Sequence, residues 1–148
     1  MEGLYALALL WSMNLCSEEQ YNVALNEVFL NDVTSSELLL KLESCSNNCK
    51  NTFAILYHYF TYEATLTDLD QFGKVLFANL RRVYESNRFS IEAFGEKCYA
   101  IWNILPGYIN DKQPFWALSY ADDPLSWGDE AQSRSLYESA FGFYNEAG

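Results

Sequence analysis

The sequence predicts an all-α fold, a compact bundle of about seven or eight short helices. Three observations carry that prediction. Apolar residues recur at three- and four-residue spacing from end to end, capping residues punctuate the pattern, and strand-like alternation is scarce. At 148 residues, half of them hydrophobic and 17% aromatic, the chain reads as one helical domain, 1–148, able to bury a core without staples.

Each element follows from its residues. "MEGLYALALLWSMNLC" opens with an apolar run that is too short to span a bilayer. Glu2 stands where a secretory leader carries positive charge, and no small-x-small cleavage site follows, so the run predicts a buried first helix in a cytoplasmic protein. Ser17-Glu18-Glu19-Gln20 is a capping box, followed by Tyr21, Leu25, Val28 and Phe29 on one helical face. Ser35 or Ser36 starts a third helix, in which Leu38, Leu39, Leu42 and Cys45 share a face. "TFAILYHYFTYEA" is apolar and aromatic nearly all round, which predicts a buried helix with His58 inside the core.

Thr67-Asp68-Leu69-Asp70 opens the longest helix, running to about Glu85 with a stripe of Leu69, Phe72, Leu76, Leu80 and Val83. Ser90 caps "IEAFGEKCYAIWNIL", and Pro106-Gly107 ends it. Pro114 suits the first turn of a short helix, "FWALSY", because its missing amide would be unpaired there. Ser126, with Asp129 three residues on, predicts the cap of a last helix reaching about Asn145.

Charge narrows function more than any motif does. Nine bases against twenty acids give a net charge of −11, which opposes a phosphate-backbone binder and an anionic membrane surface. Residues 1–40 hold six acids and no base, residues 41–112 are balanced, and residues 113–148 hold six acids and only Arg134. The surplus at the two ends favours a recognition surface for a basic partner over evenly scattered solubilising charge.

Catalytic chemistry is not legible. His58 is the only histidine, no Ser-His-Asp set or G-x-S-x-G elbow exists, and seven glycines form no phosphate cradle. Cys45 and Cys49 have a C-x3-C spacing without a second pair, so zinc is not expected and the four cysteines read as reduced thiols. "DDPLSWGDE" lacks the alternating acids, turning glycine and distal glutamate of a calcium loop. No metal, no cofactor and no turnover are expected.

What remains is the stretch "SYADDPLSWGDEAQ", residues 119–132. Pro124 holds Asp123 extended and sets Asp122 and Asp123 on a turn, from which carboxylates can meet Arg or Lys bidentately. Asp129 and Glu130 can serve the dipole of the last helix, and Phe115, Trp116, Tyr120 and Trp127 surround the acids. The candidate partner contacts are Asp122, Asp123, Asp129, Glu130, Tyr120 and Trp127, with Glu18 and Glu19 from the acidic N-terminal block.

"ILPGYINDKQPFWALSYADDPLSWGDEAQSRSLYE", residues 104–138, resembles small acidic helical immunity proteins of bacterial polymorphic and contact-dependent growth-inhibition toxin systems. The likeness extends back over "FGKVLFANLRRVYESNRFSIEAFGEKCYAIWN". The resemblance implies a cytoplasmic inhibitor without catalysis that neutralises a cognate basic toxin, often a nuclease, by covering or distorting its site. Two other readings stand beside it: a nucleic-acid mimic of the anti-defence kind, which would want acids in regular rows, and a small metal protein or enzyme built on the carboxylates. The oligomeric state stays open, because the aromatic excess suits a core or a dimer patch equally.

Overall fold

Leu4 through Leu10 are all buried, which makes the first helix, α1 (Glu2–Ser12), an enclosed rod. The computed structural model describes residues 1–31, 37–63 and 68–146, and among them the regular structure is helical, with no strand. The all-α prediction therefore holds. The expected caps at Ser35 or Ser36 and at Thr67 lie outside the described residues. Packing divides the chain into two compact units, Met1–Leu76 and Phe77–Gly148.

In the first unit, α2 (Glu18–Asn31) and α4 (Cys49–His58) pack against α1, and α3 (Glu37–Ser44) packs against α4. The predicted capping box is present in both directions. The amide of Gln20 donates to Ser17 Oγ at 3.1 Å, and the amide of Ser17 donates to Gln20 Oε1 at 3.0 Å. Asn48 caps α4 by accepting from the amide of Asn51 at 3.0 Å. Tyr5 sits in an aromatic cluster, its ring 5.1 Å from Phe60 and 5.5 Å from Phe72.

The expectation for "TFAILYHYFTYEA" needs correction. α4 continues into a π-helical turn, Tyr59–Glu63, and among the described residues of this stretch only Thr52, Leu56 and Phe60 are buried. Tyr57 and Tyr62 are exposed, and so is His58, whose Nδ1 lies 3.8 Å from Glu63 Oε2. One helical face satisfies the core of the unit, while Phe53, Ile55 and Tyr59 are half-buried at its margin and Tyr57, His58 and Tyr62 face outward. His58 is a surface residue.

The fifth helix, α5 (Leu69–Glu85), begins in the first unit and ends in the second. Asp68 caps it, its Oδ1 accepting from the amide of Gln71 at 3.0 Å. Phe72, Leu76 and Leu80 of the predicted stripe are buried, Leu69 and Val83 half-buried.

The second unit comprises the rest of α5, α6 (Ile91–Ile104), α7 (Ala117–Tyr120), a 3-10 turn (Asp123–Trp127) and α8 (Glu130–Glu146). Ser90 caps α6 as expected, accepting from the amide of Ala93 at 3.1 Å. α6 packs on α7, and the 3-10 turn packs on α8. An edge-to-face cluster holds the core: Phe94 stands 5.1 Å from Tyr137 and 5.5 Å from Tyr84. The short helix starts at Ala117, three residues later than Pro114 predicts. The amide of Trp116 bonds the carbonyl of Lys112, and that of Ala117 bonds the carbonyl of Pro114.

Candidate partner-binding segment

Between α7 and α8 the chain turns sharply, and the turn decides where each acid points. The amide of Leu125 bonds the carbonyl of Asp122 at 3.0 Å, which closes the 3-10 turn Asp123–Trp127. Asp123 therefore starts a helical turn instead of standing extended before Pro124. Pro124 is buried and anchors the turn, and Gly128 follows at φ 79°, a left-handed conformation that glycine takes without steric cost.

The acids are not equivalent. Asp123 is exposed and has no cation within salt-bridge distance among the described residues. Asp129 caps α8, its Oδ1 accepting from the amide of Gln132 at 3.0 Å. The cap is thus Asp129 and not Ser126, whose hydroxyl donates to the carbonyl of Asp123 at 2.8 Å. Glu130 pairs with Arg134 at 3.1 Å one turn along α8. Arg134 is shared, since it also lies over the Tyr84 ring and donates to its hydroxyl at 3.4 Å.

Asp122 does not project, contrary to the turn reading. It is half-buried, and its Oδ1 is enclosed with no hydrogen-bond partner among the described residues. Burial pushes its carboxyl above the ordinary range, its own backbone amide pulls it back, and the neighbouring charge of Asp123 pushes it up again.

The aromatics complete the segment. Trp127 is 63% exposed and Trp116 49%. Trp116 meets the half-buried Tyr120 edge-on at 5.4 Å, and Tyr120 accepts from Gln113 Nε2 at 3.3 Å. Phe115, by contrast, is buried against Phe77. Trp116 is thus part of the outer surface, a role its four-residue spacing from Tyr120 signals. Tyr120, Asp122, Asp123, Trp127, Asp129 and Glu130 are brought together on one continuous segment of the second unit. Glu18 and Glu19 occupy the first turn of α2 in the first unit, where both are exposed.

Elsewhere, all four cysteines are free thiols, and no cluster of three metal-binding side chains exists among the described residues. Among them no helix is long and apolar enough to cross a membrane. Neither a protein-family model, nor a curated protein, nor a solved structure matches the chain.

Proposed function

We propose that this chain is a protein inhibitor of the immunity class, acting in the cytoplasm without turnover of its own. It neutralises a basic toxin, of nuclease type, by docking the segment 116–130 onto a cationic surface. The observation that carries this reading is the exposure of two tryptophans on the same segment as Asp123, an exposed carboxylate with no ion pair among the described residues. Exposed indoles are costly to leave in water, and each offers on the order of 100 Å² to a partner, worth about 2–3 kcal/mol when buried. Asp123 supplies the charge that a guanidinium or ammonium would meet, and tryptophan faces also attract such cations.

The division of labour among the acids sharpens the proposal. Asp129 and Glu130 serve α8 first, so affinity rests on Trp116, Trp127 and Asp123, while the remaining negative charge accelerates encounter. The nucleic-acid mimic and the metal-protein readings gain no comparable support, since two of the four acids of this segment serve α8 and a third, Asp122, is half-buried.

The test is a binding measurement against any basic, toxin-like domain found encoded beside this chain. Trp127→Ala combined with Asp123→Asn is expected to weaken binding by roughly 2–4 kcal/mol, about 30- to 900-fold. The association rate of the unaltered chain should fall as salt rises. Undiminished binding by the double variant, with its helical content intact, would remove this segment from the interface.

A further inference from the structure

Behind the exposed residues of the segment lies a polar cluster to which partner docking gives no task. Gly95 stands in the middle of α6, where glycine costs about 1 kcal/mol relative to alanine. A Cβ at Gly95 would lie 2.8 Å from Cβ of Asp122 and 3.0 Å from Oη of Tyr137. The missing side chain is what lets both residues rest on the helix backbone. Tyr137 is wholly buried, and its hydroxyl, like Oγ of the buried Ser133, has no hydrogen-bond partner among the described residues. Cys98, one turn along α6, is enclosed as well, and the charge of Asp122 adds to the burial that raises its thiol.

This arrangement opposes stability three times over: a mid-helix glycine, an enclosed carboxylate oxygen and an enclosed phenol. A buried polar atom without a partner costs about 1–3 kcal/mol. Such a concentration of unfavourable choices in one place marks a working device rather than core packing.

We propose that Asp122 is a proton-operated latch on residues 119–130. In its neutral form the carboxyl lies closed against Gly95 and Tyr137. In its ionised form the carboxylate leaves Gly95 and Tyr137 for solvent beside Asp123, which loosens the segment around its anchor at Pro124. A neutral carboxyl carries an O–H donor and is cheap to enclose, whereas a carboxylate there has only neutral or negative neighbours. The titratable groups that face it are Asp123 on its own segment, Cys98 on α6 and Tyr137 on α8. None is a cation.

The sign follows from burial. The closed form holds the carboxyl above its ordinary range, so closure is favoured in acid and lost as the pH rises through that raised value. The latch stands on the geometry of the second unit alone, so its failure would leave the inhibitor reading intact, and the reverse also holds.

The test combines carbon-13 NMR of the side-chain carboxyls with amide hydrogen exchange on the full chain, from about pH 3 to about pH 8. Asp122 is expected to titrate above the ordinary aspartate range near about pH 4. Exchange across residues 119–130, corrected for its intrinsic pH dependence, should accelerate about tenfold for each pH unit by which Asp122 exceeds that range. Protection of α6 should stay constant over the same range. Asp122→Asn should leave the segment protected at every pH. The latch is overturned if Asp122 titrates with the exposed acids, or if protection of the segment ignores its titration. Should Asp122→Asn fail to fold, the two measurements on the unaltered chain decide the matter.

Discussion

Alanine at position 95 separates a glycine that is needed from one that is not. In a helix interior, Gly→Ala ordinarily stabilises by about 1 kcal/mol. Gly3 is the reference, because a Cβ there would meet Val75 at 3.5 Å and Gln71 at 3.6 Å, both ordinary contacts. Gly3→Ala should accordingly gain roughly 0.5–1 kcal/mol. At Gly95 the new carbon would lie 2.8 Å from Cβ of Asp122, an atom one bond from the backbone. It would also lie 3.0 Å from the hydroxyl of Tyr137, a ring held by Phe94 at 5.1 Å and Phe141 at 6.4 Å.

Carbon atoms settle at about 3.5–4.0 Å, so something must retreat by roughly 1 Å. Neither neighbour is the loose end of a flexible chain. Overpacking of this kind costs about 1–3 kcal/mol, which cancels or exceeds the helical gain. Gly95→Ala should therefore fall between no change and a loss of about 2 kcal/mol, placing it about 0.5–3 kcal/mol below Gly3→Ala. Urea unfolding of both variants beside the unaltered chain measures the difference. If Gly95→Ala is as stabilising as Gly3→Ala, then Asp122 and Tyr137 do not lie on that helix, and the cluster described above is not there.

Asp122→Asn keeps the shape of the side chain and removes its charge. Because burial raises the native carboxyl, its favourable contribution is present below the ordinary range near about pH 4 and disappears as the pH climbs through the raised value. The variant should be the more stable at neutral pH, with the gap closing in acid, and urea midpoints at both extremes would contradict this if the order were reversed. Ser17→Ala breaks the hydrogen bond to the amide of Gln20 and should cost about 1 kcal/mol, read as a lower unfolding midpoint. Of the four thiols, Cys45 and Cys49 are half-exposed while Cys16 and Cys98 are buried. A colorimetric disulfide reagent should count two fast thiols in the folded chain and the other two only on unfolding, and a fast Cys98 would contradict the packing of α6.

What the sequence disclosed was local. Ser17 with Gln20, Asp68 and Ser90 announce their helices within four residues, and each makes the bond its position implies. The burial of α1 was equally plain, because a run from Leu4 to Leu10 leaves no polar side to expose. Periodicity could not tell which side of an almost wholly apolar segment would face the core. The burial of Thr52 and Phe60 with the exposure of Tyr57, His58 and Tyr62 is a tertiary decision made by the elements that pack on α4, α1 and α3. The direction of Asp122 was hidden for a different reason. It depends on a hole in α6 left by Gly95, far away along the chain, and only the presence of a glycine within a good helical pattern hinted at it. Trp116 and Trp127 were visible as aromatics among acids, but their exposure is set by tertiary placement, Trp127 lying on the 3-10 turn that anchors Pro124 inward.

That exposure has an optical consequence. Trp11 and Trp102 are half-buried, so the indoles most open to solvent are the two that flank Asp123. Collisional quenchers of opposite sign, caesium and iodide, would reach those emitters through the same water but against different local potentials. The ratio of their quenching constants reads the sign and strength of the field at this surface with no ligand present, and charge substitutions along the turn should shift it more the closer they lie to the rings.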